Sequence, residues 1–87
     1  MIKSWSDVAW DEFIYWEEKN KRTFKKILKI IKDIDCNGYI GIGKPEALKG
    51  DLSGYWSRRI DSKNRIVYKI KDGVIMIAQC GSHYRDK

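Results

Sequence analysis

An 87-residue chain of 10.3 kDa has room for one domain with one modest core, and 43% hydrophobic residues spread from end to end exclude intrinsic disorder. Eighteen Lys and Arg against twelve Asp and Glu give a formal charge of +6, and residues 44–71 alone hold eight cations and three acids. That imbalance suits a polyanionic partner, although a high isoelectric point also serves plain solubility.

The first element in chain order is a short β-prone segment, Ile2 to Trp5, followed by Ser6-Asp7, a pair able to cap a helix start. The helix that follows should run to about Lys19. Ala9, Phe13 and Trp16 form its apolar stripe, with Asp11, Glu12, Glu17 and Glu18 largely off that line. Asn20 can cap a second helix, where Phe24, Ile27, Leu28, Ile31 and Ile34 repeat at helical spacing and Lys25, Lys26, Lys29 and Lys32 fill the other face. It ends near Cys36-Asn37-Gly38.

The stretch from Gly38 to Gly50 holds four of the seven glycines and the only proline, so it reads as a long irregular loop. Three β-type runs follow: Ser53 to Ile60, Arg65 to Ile70 and Val74 to Cys80. Hairpin turns separate them at Asp-Ser-Lys-Asn and Lys-Asp-Gly. The pattern predicts a single α+β domain over residues 1–87, β-α-α-β-β-β, with an antiparallel sheet covered on one face by the two helices.

Strand alternation sorts the side chains. Ile66, Tyr68 and Ile70 should face the helices, leaving Arg65, Val67 and Lys69 on the open face. In the preceding strand Trp56, Arg58 and Ile60 share the core side, so Arg59 is the arginine that joins Arg65. Most of the four tryptophans (Trp5, Trp10, Trp16 and Trp56) belong by the same reasoning to the core, and Tyr55 and Tyr84 are better placed to stack on bases.

The one histidine, His83, lies beside Tyr84 just past the last strand, where an imidazole could exchange protons near neutrality. The glycine-rich loop supplies a carboxylate, Glu46, flanked by Lys44 and Lys49, and a solvated charge paired with a lysine is its plainer reading. Gly41-Ile42-Gly43-Lys44 lacks the spacing of a Walker loop, and no serine sits in a recognisable nucleophile turn. Cys36 and Cys80 are too few for a disulfide framework, and no residues show metal-ligand spacing, so reduced thiols and a metal-free, cofactor-free site are expected. The opening residues carry no apolar signal region and the longest apolar run is Val74 to Ala78, which predicts a soluble cytoplasmic protein with no membrane partner.

Taken together, Gly-Lys-Pro-Glu-Ala-Leu-Lys-Gly-Asp-Leu-Ser-Gly-Tyr-Trp-Ser-Arg-Arg-Ile (43–60), Asn-Arg-Ile-Val-Tyr (64–68), Ser-His-Tyr (82–84) and the early Trp-Asp-Glu-Phe-Ile-Tyr-Trp (10–16) closely resemble the YoeB/Txe family of the RelE/ParE superfamily. The resemblance spans nearly the whole chain. It implies the toxin of a type II toxin–antitoxin pair, a metal-independent endoribonuclease that cuts mRNA on the 70S ribosome.

By the same resemblance Glu46 falls on the general base, His83 on the general acid, Arg65 on the phosphate-stabilising cation and Tyr84 on the terminal aromatic. Lys49 and Arg59 fall on basic positions at the RNA site, and Lys44 beside Glu46 is grouped with them. The implied partners are the message and an acidic antitoxin covering the basic groove. The family also admits a homodimer, of which the residues themselves give no sign. Two features depart from the pattern: the added Arg85-Asp86-Lys87, and Gly81 where relatives often carry a basic residue. Two rival readings are a non-catalytic ParE-like toxin that binds a protein such as gyrase, and an RNA-binding module without turnover.

Overall fold

The computed structural model describes residues 1–81, so the expectations for Ser82, His83, Tyr84 and the last three residues lie outside the described residues. The elements are β1 (Ile2–Trp5), α1 (Asp7–Lys19), α2 (Lys21–Asn37), β2 (Glu46–Ala47), a 3-10 turn (Gly50–Leu52), β3 (Trp56–Arg59), β4 (Arg65–Lys71) and β5 (Val74–Cys80). Five strands form one sheet in the order β1-β5-β4-β3-β2. The α+β class and the three C-terminal strands match the sequence reading.

The architecture differs from the expectation in two places. β1 pairs with β5 in parallel, so the sheet is mixed and not wholly antiparallel. β2 adds a strand inside the stretch read as loop, pairing Glu46 with Ser57 and Ala47 with Trp56. The run from Ser53 is also shorter than expected. Gly50 and Gly54, at φ 67° and 95°, turn the chain through the 3-10 segment, so extended pairing begins only at Trp56.

Local chemistry explains the helix boundaries. The Ser6 hydroxyl accepts from Ala9 N at 3.0 Å and donates to Ala78 O at 2.7 Å, capping α1 while tying it to β5. Asn20 caps α2 by accepting from Thr23 N at 3.1 Å. Asp72 and Gly73, both at positive φ, make the two-residue turn between β4 and β5.

Ala9 and Trp16 of α1 and Ile27, Ile30, Ile31 and Ile34 of α2 pack on Ile60, Ile66, Tyr68, Ile75, Ile77 and Cys80. Trp10 is a correction to the core list: it is 47% exposed, edge-on to Trp5 at the rim. Glu12, expected off the buried stripe, is 1% exposed. Its Oε1 accepts from Cys80 N at 2.6 Å, beside the bond from Trp16 Nε1 to Cys80 O at 2.8 Å. Both cysteines are free thiols; Cys36 is exposed, and burial together with the Glu12 charge pushes the Cys80 thiol up to about 12.

The β4–β5 ladder slips by one residue. Val67 faces Gln79 while Tyr68 faces Ile77, so Ala78 has no partner. This bulge returns Cys80 to the core face after Ile75 and Ile77, a switch that strict alternation would not allow.

Arg58 is fully buried on the helix-covered face and uses every donor it has. Nε donates to Tyr68 OH at 3.2 Å; Nη1 donates to Asp33 Oδ2 and to Ile42 O at 3.0 Å; Nη2 donates to Gly38 O at 2.7 Å and Ile40 O at 2.9 Å. A charge buried this way is tolerable only because each N–H finds an acceptor. The Arg58 hydrogen bond, more than the backbone bond from Ile42, holds the Asp33 carboxyl below its ordinary value.

Truncating Arg58 to Ala leaves the Ile40 and Ile42 carbonyls without their donor and takes the cation from the Asp33 carboxylate, and should cost on the order of 3–5 kcal/mol in chemical denaturation. Because the folded Asp33 titrates lower than the unfolded one, its contribution is complete above the unfolded value of about 3.9 and is lost as pH falls through the lower folded value. Denaturation midpoints measured between neutral and acid pH should show Asp33→Asn less stable than the parent near neutrality, with a shallower decline in acid.

Candidate functional site

The face of the sheet away from the helices carries the charged residues singled out in the sequence. Arg59 of β3 stands directly opposite Arg65 of β4, and residues in register across antiparallel strands share a face. Glu46 pairs with Ser57, which pairs with Val67, so these side chains continue the same face. The Glu46 carboxylate reaches over to Arg65, with Oε1 3.6 Å from Nη1.

Two facing arginines repel one another, and one exposed carboxylate offsets only part of that charge. Glu46 is 62% and Arg65 37% exposed at the side chain, so both are open to an incoming ligand. The result is a shallow, net cationic surface that also carries an exposed carboxylate. Ser57 and Val67, buried at 0% and 4%, floor it. Val67 was expected on the open face, and the register puts it there, but strand neighbours cover it on both sides. The Ser57 hydroxyl has no hydrogen-bond partner among the described residues. Alternation placed Ser57 on this face without marking it as functional, because burial depends on the unforeseen strand β2.

The backbone of the glycine-rich loop sets the position of Glu46. Arg59 N donates to Gly43 O at 2.7 Å, and Gly43 at φ 81° lies so close to β3 that an added Cβ would come 3.0 Å from Arg59 O. From there the chain passes through Lys44, itself at φ 50°, and Pro45 into β2. Lys44 and Lys49 are exposed and bracket Glu46 in sequence. On the other side of Arg65, its carbonyl accepts from Gly81 N at 3.0 Å, which holds the end of β5 against the start of β4. Tyr55, half-buried, has the Lys69 ammonium 4.8 Å from its ring centroid, so a cation already occupies one face of this stacking candidate.

The structure therefore brings together Glu46, Arg59 and Arg65. Lys44 and Lys49 flank them, and His83 and Tyr84 lie outside the described residues. A five-stranded mixed sheet with two helices on one face is the fold of YoeB/RelE-like toxins, as in the YoeB/ParE toxin from Agrobacterium tumefaciens, which superposes with a TM-score of 0.89 at 37% identity, covering 93% of this chain and 96% of that one.

Comparison with known proteins makes the assignment specific. Residues 5–84 match the family described as the YoeB-like toxin of bacterial type II toxin–antitoxin systems. Toxin YoeB of Escherichia coli O6:H1 is 50% identical over 80 residues, covering 92% of this chain and 95% of the relative. The heterotetrameric YoeB–YefM toxin–antitoxin complex from Staphylococcus aureus contains a chain that superposes with a TM-score of 0.91 at 44% identity, covering 97% of this chain and 98% of that one. The YoeB dimer from Staphylococcus aureus gives 0.89 at 44% identity with the same coverage. The chain belongs to the YoeB-like toxin family.

Gly43→Ala tests how the loop seats Glu46. The positive φ and the contact with the Arg59 backbone should cost on the order of 1–3 kcal/mol in thermal or chemical unfolding. The same substitution should separate Glu46 from Arg65 in a crystal structure, while leaving β4 and β5 in place.

Proposed function

We propose that the chain is the toxin of a type II toxin–antitoxin pair that cleaves mRNA on the ribosome without a metal, with Glu46 as general base, His83 as general acid, Arg65 as the cation on the phosphate and Tyr84 as an aromatic contact to the RNA. The observation that carries this reading is the placement of the Glu46 carboxylate 3.6 Å from Arg65 on an open, cationic face.

The chemistry needs such a pair. The 2′-hydroxyl must lose its proton as it attacks the adjacent phosphate, and a carboxylate can take it. Charge then accumulates on the non-bridging oxygens, where a guanidinium donates two aligned hydrogen bonds. The departing 5′-oxygen must gain a proton, and a histidine is suited to give it near neutral pH. The products are a 2′,3′-cyclic phosphate and a 5′-hydroxyl, and DNA, lacking the 2′-hydroxyl, is not a substrate.

Gly81 N donates to Arg65 O at 3.0 Å, which fixes the last described residue of the chain beside the start of β4. Lys44, Lys49 and Arg59 add cations along the path of the RNA backbone. Solved YoeB–YefM complexes support an antitoxin as partner, and the solved YoeB dimer supports self-association; the cationic face would suit an acidic antitoxin lying across it. No described helix is long and apolar enough to cross a membrane, and a toxin acting on ribosomes works in the cytoplasm.

The direct experiment is cleavage of a defined message on purified programmed ribosomes, with the ends mapped. Wild type should cut in the A site, and Glu46→Ala and His83→Ala should each be slower by on the order of 10² to 10⁴. The Glu46 variant should melt close to wild type, because an exposed charge contributes at most about 0.5 kcal/mol. An intact message would move the assignment to a toxin that binds a protein target.

A further inference from the structure

We propose that α2 carries a second nucleic-acid surface, a lysine stripe on the side of the protein away from Glu46, Arg59 and Arg65, and that it takes the phosphate backbone of double-helical RNA. As a contact made while the sheet face engages the message, it rests on the reading of the chain as a toxin acting on ribosomes.

The stripe comprises Lys21, Arg22, Lys25, Lys26, Lys29 and Lys32, all exposed. At 3.6 residues per turn they fall within an arc of about 140°. Ile27, Ile30, Ile31 and Ile34 bury the opposite arc against the sheet, so the stripe points away from the candidate site.

Nearby acids do not neutralise it. Glu17 binds Lys21 at 2.7 Å, and Asp61 of the β3–β4 turn lies near Lys26. Asp33 is held by Arg58, and Asp35 by Lys3 and the terminal ammonium. Arg22, Lys25, Lys29 and Lys32 have no acid partner among the described residues.

Helix stability is not served by this arrangement. Like charges recur at three- and four-residue spacings, which destabilise a helix. The first turn of α2 holds two cations and no acid, where the helix dipole favours the reverse. Mixed acids and bases would keep the protein equally soluble without either cost. A local rule broken twice without a structural return is the mark of a surface kept for binding.

The side chains choose the occupant. A stable protein partner needs an apolar centre to its interface, whereas the exposed Leu28 lies at the margin of this arc and its centre holds no large apolar side chain. Single-stranded nucleic acid is gripped by aromatic platforms among the charges, and no aromatic residue lies here either. Flexible lysines spread along a 17-residue helix, with neither feature, match the regularly spaced phosphates of an RNA duplex.

The test is fluorescence anisotropy with a blunt RNA duplex of about 16 base pairs, titrated across a range of salt. The triple variant Lys25→Gln/Lys29→Gln/Lys32→Gln should bind at least tenfold more weakly at low salt. Its log–log salt slope should be shallower by about two to three, near one released counterion per lysine. It should melt no lower than wild type, since only repulsion is removed. Lys71→Gln, an exposed cation at the end of β4 that belongs to neither surface, should change duplex affinity far less than the triple variant.

Wild-type affinity and salt slope in the triple variant would overturn the proposal, as would equal binding of poly-glutamate, which would make the stripe a site for an acidic protein. The readout involves no cleavage, so it is independent of the assigned nuclease chemistry. Conversely, loss of message cutting by Glu46→Ala or His83→Ala leaves the duplex result untouched.

Discussion

The fold of the half that carries the candidate site depends on one buried guanidinium. Arg58 joins the end of α2, through Asp33, to three carbonyls of the glycine-rich loop and to the Tyr68 hydroxyl of β4. Without it the segment from Gly38 to Ile42 would have carbonyls facing the interior and no secondary structure to satisfy them. With it, irregular chain becomes a fixed path that delivers Gly43 to β3 and Glu46 to the open face. A lysine, with three donors on a single nitrogen, could not serve acceptors spread over so wide an angle.

This explains how a strand of two residues can hold the Glu46 carboxylate in a fixed place. β2 has two paired positions and little buried side chain, too little to define its own place. Its position is inherited from the loop before it, and the loop's from Arg58. Neighbouring residues of β3 therefore do opposite work: Arg58 faces inward and fixes the loop, while Arg59 faces outward among the charges. The strand's two-residue period makes that division unavoidable.

Much of this was legible in the sequence because it depends on local rules. Ser6 and Asn20 start the helices they were expected to start, Asp72-Gly73 turns the hairpin, and alternation assigned Arg58 to the core and Arg59 to the site. What escaped depends on distant chain segments. The parallel partner of β1 is more than 70 residues away, and β2 exists only because the loop is captured. Glu12 was misjudged because polarity was allowed to outvote angle. It lies within about 40° of Trp16 on the helical wheel, and its buried carboxylate satisfies the Cys80 amide. The Glu46–Arg65 contact was assigned to a shared site by resemblance to a family; composition and spacing alone gave only a loop acid and an outward-facing arginine.

The same contrast separates two uses of positive charge in this small protein. Arg58 is buried, fully bonded and structural, and its charge is consumed by acceptors of the loop and of α2. Arg59 and Arg65 face each other on an open surface with one exposed carboxylate beside Arg65, leaving charge available to a ligand. The stripe on α2 goes further, since four of its cations have no described acid partner and the helix gains nothing by holding them. Net charge alone cannot distinguish these cases, because each arginine or lysine adds the same unit to the +6 of the chain. The distinction lies in what each cation touches: acceptors of the fold in the first case, and in the others a surface whose repulsion falls only when a polyanion arrives.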